Sequence, residues 1–257
     1  MIEDKEVKPP RFVGANDCGF CYCEKSTPAS GNLDLLTYGV YEIGAGVASS
    51  PVCHPQEEAL LFCMSGDVAV EVGESSFQLS YYDVLYIPLG MAYSLFNIGH
   101  VDAKLVVCRA RAENKHEVFH GSWKKFSTNE ARIRHLDGKD VYLMFDVGEK
   151  ADRLIAGYTI YKPYTRAYPA HNHTDQEEIY IFTKGKGAME VYKDEKSKTF
   201  VTSVGEMDAV TIPLLNYHPV FSQEEELHFI WCIAGERYWV GDKNKDFMKG
   251  DSDTLTT

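Results

Sequence analysis

The chain has 257 residues with 38 acidic and 26 basic side chains, which gives a formal net charge of −12 and an isoelectric point near 5.2. This charge argues against a nucleic-acid partner and against an anionic membrane surface, because both bind basic patches. Hydrophobic residues make up 44% of the chain and aromatic residues 12%, which is enough to fill a core and excludes wholesale disorder.

The N-terminal sequence predicts neither a signal peptide nor a membrane span, because MIEDKEVKPPRF is charged and contains proline. We therefore expect a cytoplasmic protein with reduced cysteines. Seven cysteines are present, and Cys18, Cys21 and Cys23 crowd into CGFCYC, which is not typical of a disulfide framework. We interpret residues 1–29 as a leader and a Cys-rich loop with free thiols. The alternative, a thiophilic metal at CxxCxC, lacks a second cysteine pair at ligand spacing.

Short runs rich in Val, Leu, Phe and Tyr follow the leader, and Gly, Ser, Asp and Asn separate them. This pattern is typical of an antiparallel barrel or sandwich. The predicted strands of the first half lie at residues 35–43, 59–64, 68–72, 77–79, 84–88, 93–97 and 104–109.

The second half of the chain repeats the first. Gly66 matches Gly185 at an offset of 119 residues, and Pro88 matches Pro213 at an offset of 125. The second copy therefore has about six extra residues, which we place in a hairpin loop at residues 193–198. The sequence predicts an all-β fold of two tandem antiparallel barrels. Their predicted bounds are residues 30–112 and 150–240, with a linker at 113–149 and a tail at 241–257.

Four candidate metal ligands lie in the second barrel. His171 and His173 are two residues apart, so in an extended segment both side chains point the same way. Glu178 can join them if a turn through residues 174–176 resets the face before a strand at 178–183. His218 follows 40 residues later. Two imidazoles and a carboxylate make a poor core but a good site for Zn, Mn, Fe or a similar divalent ion.

The spacing of these residues resembles the two motifs of the cupin family: HxH, four residues, Glu, six residues, Gly, and later Pro, four residues, His. In that family three His and one Glu of a jelly-roll barrel bind one metal ion. When the two halves of the sequence are aligned, His54 of the first barrel matches His173, but Val52, Ala59 and Tyr93 match the other three candidate ligands. We therefore expect one divalent ion per chain, with Zn favoured over Mn and Fe, and a metal-free first barrel.

The ligand set by itself does not choose among an isomerase, a dioxygenase, a decarboxylase and a sugar-binding module. Two stretches, ADRLIAGYTIYKPYTRAYPAHNHTDQEE and YHPVFSQEEELHFIWCIAGERYWVGDKNKDF, resemble the bicupin uronate isomerases. That family includes 5-deoxy-glucuronate isomerase of inositol catabolism and 5-keto-4-deoxyuronate isomerase of pectin breakdown. DVLYIPLG at residues 83–90 is similar to its first domain. The chain departs from the family at residues 164–167 and 141–145. These departures put the identity of the substrate in more doubt than the metal site.

The resemblance implies a metal-dependent aldose–ketose isomerase of a deoxyuronic or related sugar acid, which can form homo-oligomers. A metal-dependent cupin dioxygenase and a non-catalytic sugar-binding cupin are the alternatives. The candidate catalytic residues are Tyr180, Glu190 and His228, of which Tyr180 ranks first because it shares the face of Glu178. The candidate substrate-binding residues are Arg166, Tyr168 and Lys184.

Overall fold

The computed structural model describes residues 11–12, 19–166, 170–193 and 200–238. The chain divides into two compact units, Met1–Phe126 with Gly148–Leu154, and Ser127–Val147 with Ile155–Thr257. Within the described ranges, no helix is long and apolar enough to cross a membrane.

The first unit consists of two antiparallel sheets around one core. A larger sheet has the strand order β1-β2-β3-β9-β4-β7-β10, and a smaller one has the order β6-β5-β8. Its elements are β1 (Arg11–Phe12), β2 (Phe20–Ser26), β3 (Leu36–Ile43), β4 (Glu57–Ser65), β5 (Val68–Val72), β6 (Ser75–Leu79), β7 (Val84–Ile87), β8 (Tyr93–Asn97), β9 (Ala103–Arg111), β10 (Phe119–Gly121) and α1 (Trp123–Phe126).

The second unit has the same plan. A 3₁₀ turn at Glu130–Arg132 leads into a sheet of order β11-β12-β13-β19-β14-β17, and a smaller sheet has the order β16-β15-β18. Its strands are β11 (Ile133–Leu136), β12 (Lys139–Phe145), β13 (Leu154–Tyr161), β14 (Gln176–Lys184), β15 (Gly187–Val191), β16 (Phe200–Val204), β17 (Ala209–Ile212), β18 (Val220–Ser222) and β19 (Leu227–Gly235). The predicted all-β class with two antiparallel barrels is confirmed.

The internal repeat is visible in the strand bounds. β4 and β5 correspond to β14 and β15 at an offset of 119 residues, and β6 and β7 correspond to β16 and β17 at an offset of 125. The six extra residues thus fall between the end of β15 and the start of β16; of the loop predicted at residues 193–198, residues 194–198 lie outside the described residues. Gly66 and Gly185 lie in equivalent turns of the two units, and both have a positive φ. A Cβ atom at Gly185 would lie 2.0 Å from the Glu226 carbonyl oxygen.

Each core lies between the larger and the smaller sheet of its unit, and the alternation of side chains decides which residues enter it. On β5, Val68, Val70 and Val72 are buried, whereas Ala69 and Glu71 are not. The same alternation brings Met189 and Val191 of β15 into the second core. Polar residues that share an inward-facing position with these side chains therefore need a specific partner.

Two parts of the chain differ in structure from the sequence-based expectation. Residues 20–26, which we expected in a Cys-rich loop, form β2 and pair with β3 because Phe20 and Tyr22 pack on the first core. The segment 113–149 is divided between the units, since β10 extends the first large sheet and β11 with β12 extends the second. The six cysteines in the described part of the chain are free, and Cys18 lies outside it.

A buried arginine near the end of β9 lies on the strand face that lines the first core. The side chain of Arg109 is 8% exposed. Its Nη1 donates to Oε2 of Glu57 at 2.6 Å and to Nδ1 of His54 at 2.5 Å. Its Nη2 donates to the Tyr22 hydroxyl at 3.1 Å and to Oε2 of Glu24 at 3.3 Å. One guanidinium thus joins β2, β4, β9 and the loop that carries His54.

The protonation state of His54 follows from these contacts. A guanidinium only donates, so Nδ1 of His54 accepts and the ring proton resides on Nε2. Nε2 lies 3.3 Å from the hydroxyl of Tyr93, which lies 2.9 Å from the hydroxyl of Tyr41. Burial, and then the charge of Arg109, lower the pKa of His54 to about 4. The imidazole is therefore neutral in the folded protein at neutral pH.

We expect His54 to make the free energy of unfolding depend on pH. The unfolded chain protonates this histidine near its usual pKa of 6.5, whereas the folded protein does so only near pH 4. Stability should therefore fall as the pH decreases from about 6.5 to about 4, by at most about 3 kcal/mol. His54→Gln, whose amide oxygen still accepts from Arg109, should remove this slope in urea denaturation at several pH values.

The exposed His100 provides the matched control, and His100→Gln should keep the pH dependence of the wild-type protein. An unchanged slope in His54→Gln would contradict the assignment of the slope to His54.

Candidate metal centre

Three histidines of the second unit lie together beside the start of β14. The ring centroid of His171 is 5.1 Å from that of His173 and 4.4 Å from that of His218, and the His173 and His218 centroids are 5.1 Å apart. One nitrogen of each ring lies within 4.8 Å of the other two. His173 and His218 are buried, and His171 is partly exposed, so the cluster has one accessible side.

The carboxylate of Glu178 lies beside two of the three histidines. Its Oε2 lies 3.1 Å from Nε2 of His173 and 3.0 Å from Nε2 of His218. Burial by itself would raise the pKa of Glu178, but the hydrogen bond with His173 and the proximity of the His218 imidazole lower the pKa overall. The carboxylate is therefore ionised at neutral pH and adds one negative charge to three imidazoles.

The orientation of His218 fits a metal ligand. Its Nδ1 lies 2.9 Å from the main-chain oxygen of Asn216, and because a carbonyl only accepts, Nδ1 carries the proton. Nε2 then presents a lone pair, and this buried atom has no hydrogen-bond partner in the described part of the chain. A lone pair and a carboxylate oxygen 3.0 Å apart repel unless a cation lies between them. The donor set and its spacing therefore fit a divalent ion.

Backbone contacts hold together the two segments that carry the histidines. After His173 the chain bends at Thr174 and Asp175, and β14 begins at Gln176, slightly earlier than the predicted strand. The main-chain N–H of Leu215, a residue with a left-handed φ of 63°, donates to the His173 carbonyl at 2.7 Å. The loop before His218 is thereby joined to the loop before β14.

Tyr180 is the candidate catalytic residue that lies against this cluster. It shares the face of Glu178 on β14, and its ring centroid is 5.7 Å from that of His218 in an edge-on arrangement. Burial, and then the charge of Glu178, raise the pKa of Tyr180 well above its usual value. The hydroxyl is therefore protonated at neutral pH and is suited to donate a hydrogen bond.

Glu190 and His228 lie on other faces of their strands. Glu190 alternates with the core residues Met189 and Val191, so its side chain points away from the core. His228 likewise alternates with core residues of β19, and its Nδ1 lies 2.7 Å from the hydroxyl of Tyr158. The structure does not bring these two candidates to the histidine cluster.

The candidate substrate-binding residues are dispersed. Lys184 ends β14 six residues beyond Glu178, or about 20 Å along the strand, and its Nζ lies 3.5 Å from Oε2 of Glu226. Arg166 is exposed, pairs with Phe221 in a β-bridge and stacks its guanidinium 4.9 Å from the centroid of that ring. Tyr168 lies outside the described residues.

The equivalent positions of the first unit are chemically different. Val52 and Tyr93 form a backbone bridge with each other. Glu58, which a shift of one residue would align with the ligand carboxylate, points to the opposite face of β4. There its Oε2 accepts from the Tyr86 hydroxyl at 2.7 Å, and its Oε1 accepts from the main-chain N–H of Arg153 at 2.7 Å. Glu58 thus has a structural role.

Two residues near the cluster, Asn216 and Gln176, could not be predicted from the metal-ligand motif, because the motif does not include their positions. Asn216 contributes only its main-chain oxygen, which any residue carries, so its identity could not reveal the contact. Gln176 is fully buried two residues before Glu178. The alternation of side chains along an extended strand could have indicated it, had the strand been predicted to begin there.

Comparison with known proteins agrees with this architecture. The KduI/IolB family matches residues 15–249. A 4-deoxy-L-threo-5-hexosulose-uronate ketol-isomerase of Bacillus licheniformis is 29% identical over 188 residues, which cover 68% of this chain and 66% of the relative. A second such ketol-isomerase, from Rhizobium meliloti, is 25% identical over 206 residues and covers 74% and 70%, respectively. The chain thus spans about two thirds of the length of the curated relatives it matches.

The fold also matches a solved crystal structure. An IolB-like protein from Salmonella typhimurium superposes with a TM-score of 0.70 at 18% identity, covering 87% of this chain and 94% of that one. At this identity the match shows the fold, which is the bicupin fold of two jelly-roll barrels. The match over residues 15–249 covers most of the sequence, and the chain belongs to the KduI/IolB family.

Proposed function

We propose that this protein is a metal-dependent ketol-isomerase that interconverts the aldose and ketose forms of a uronic or deoxyuronic acid. The observation that carries the proposal is the group of three imidazoles, of which His173 and His218 are buried, with the buried, ionised carboxylate of Glu178, whose Oε2 lies about 3 Å from two ring nitrogens. Membership of the KduI/IolB family and the two ketol-isomerase relatives support the choice of reaction.

His171, His173, Glu178 and His218 would hold one divalent ion per chain. Imidazole and carboxylate ligands suit Zn, with Mn and Fe as alternatives, and no cysteine lies in the group. When bound, such an ion polarises the carbonyl and neighbouring hydroxyl of a sugar and stabilises developing negative charge on oxygen. The partly exposed side of His171 is the side on which a small molecule can approach.

The protein side chains would bind and orient the sugar while one proton moves between adjacent carbons, a change that needs no oxidant. Tyr180 is suited to donate a hydrogen bond to a substrate oxygen, since its hydroxyl remains protonated beside Glu178. Arg166 is the proposed partner of the substrate carboxylate, with Tyr168 beside it in sequence. Among the proposed catalytic groups, the geometry favours Tyr180 over Glu190 and His228, which point away from the cluster.

The reaction class can be tested with the purified protein loaded separately with Zn²⁺, Mn²⁺ and Fe²⁺. We expect conversion of a deoxyuronate or keto-deoxyuronate, followed by proton NMR, at equal rates under argon and under air. Oxygen consumption with Fe²⁺ would indicate the dioxygenase alternative. Tight binding of sugar acids without conversion would indicate a sugar-binding protein. Either result would contradict the proposed isomerase.

The ligand set can be tested by metal analysis. Wild-type protein should bind one divalent ion per chain, and His218→Ala or Glu178→Gln should lower the affinity by at least about 100-fold, since the loss of an outer-shell partner already costs 10–100-fold. His228→Ala is the matched control, because this histidine belongs to the same unit but bonds to Tyr158, and it should keep full metal content. Full metal content in His218→Ala would contradict the assignment.

A further inference from the structure

Gln176 lies next to the proposed metal ligands and is not one of them. It is the first residue of β14, two positions before Glu178, so both side chains point to the same face of the strand. Gln176 is 0% exposed, and Glu178 is 2% exposed. A carboxamide is therefore buried on the strand face that carries the ligand carboxylate.

The hydrogen bonds of Gln176 determine the orientation of its amide. Nε2 donates to the main-chain oxygen of Glu236 at 2.6 Å, and the reverse orientation would place two oxygen atoms at this repulsive distance. Oε1 consequently points away from Glu236. Within the described residues this buried oxygen has no hydrogen-bond partner.

The close approach of β19 holds the amide in this orientation. Gln176 pairs directly with Gly235. A Cβ atom at Gly235 would lie 2.8 Å from the Cα of Gln176 and 2.2 Å from the carbonyl oxygen of Asp175, so only glycine permits this pairing. The result is a short hydrogen bond from Nε2 of Gln176 to the carbonyl oxygen of Glu236, the residue that follows β19. The side chain is fixed on one side and offers an acceptor on the other.

In the first unit, the residue equivalent to Gln176 accepts a hydrogen bond from a side chain of the protein. The residue of β4 at the offset of 119 is Glu57, whose Oε2 accepts from the Arg109 guanidinium at 2.6 Å. The residue of β19 that corresponds to Arg109 is Ile233, because Ile233 pairs with Glu178 as Arg109 pairs with Ala59. Isoleucine offers no donor. In the second unit the acceptor at this position is kept, and the described residues supply no donor to it.

We propose that Oε1 of Gln176 accepts a hydrogen bond from a hydroxyl group of the bound sugar acid and thereby determines which end of the sugar lies at the start of β14. The inference rests on the proposed function for the identity of the ligand class. An amide oxygen only accepts, so it selects a hydroxyl and repels a carboxylate. Leaving the oxygen buried without a donor is unfavourable, and a hydroxyl group of the ligand removes that cost.

The test compares the binding of sugar-acid analogues to wild-type protein and to a variant of Gln176. Binding of a non-isomerising sugar acid, in which the carbonyl is reduced to an alcohol, is measured by calorimetry together with its series of monodeoxy analogues. Wild-type protein should bind one of the monodeoxy analogues about tenfold more weakly than the parent. Gln176→Leu, which removes the acceptor at similar volume, should bind the parent about tenfold more weakly and lose the discrimination against that analogue alone.

The controls separate this role from a purely structural one. Metal content and thermal melting should show that Gln176→Leu is folded and loaded. Wild-type protein also gives an answer that needs no variant, because the side-chain NH₂ resonances of Gln176 should shift with the parent sugar acid and less with the selected analogue. Equal discrimination in wild type and Gln176→Leu, or a wild-type protein that discriminates against no monodeoxy analogue, would overturn the proposal.

The outcomes also distinguish this inference from the proposed function. Isomerisation by wild-type protein without any hydroxyl discrimination that depends on Gln176 would leave the isomerase intact and overturn the role of Gln176. Discriminating binding without turnover would overturn the isomerase and support the role of Gln176 in ligand recognition.

Discussion

The buried carboxylate of Glu178 is the charge around which the second barrel is arranged. On β14 it pairs with Ile212 of β17 on one side and with Ile233 of β19 on the other, so its lateral neighbours are apolar. An ionised carboxylate in such surroundings is costly unless cationic or hydrogen-bonding partners compensate it. His173 lies 3.1 Å from the carboxylate, and a cation between Glu178 and His218, which are 3.0 Å apart, would complete that compensation; backbone contacts hold the two histidine loops in place. Without this charge the three imidazoles would be a cluster of neutral donors and acceptors.

The two barrels bury charged and polar groups at equivalent positions but pair them differently. In the first unit a side-chain cation, Arg109, lies among the acceptors Glu57, Glu24 and His54. In the second unit the corresponding residue is Ile233, and the polar groups are an anion, three imidazoles and an amide. In the first arrangement two carboxylates of the same unit, Glu57 and Glu24, pair with the charge of Arg109, which suits a structural role. The second arrangement contains groups that can bind a metal ion and an amide oxygen that can accept a hydrogen bond from a ligand, which suits a binding or catalytic site.

The sequence motifs allowed the fold and the proposed ligands to be predicted because both depend on short spacings. Alternation within one strand related Tyr180 to Glu178 without knowledge of any neighbouring strand. Glu190 and His228 lie on strands with no such reference residue, so their faces depended on the pairing of β15 and β19 with their neighbours. Lys184 has the same parity as Glu178 but lies about 20 Å away, which parity does not reveal.

The sequence by itself determined the all-β class, the repeat, the position of the six-residue insertion and the spacing of HxH, Glu and His, because periodicity and composition are local properties of the chain. Only the tertiary structure decided that Arg109 is buried against Glu57 near the end of β9, that Glu58 points to the opposite face of β4, and that Gln176 is buried with its amide oriented by Glu236. These arrangements depend on the register between strands far apart in sequence. Register is set by the packing of the whole sheet and is encoded in no single segment.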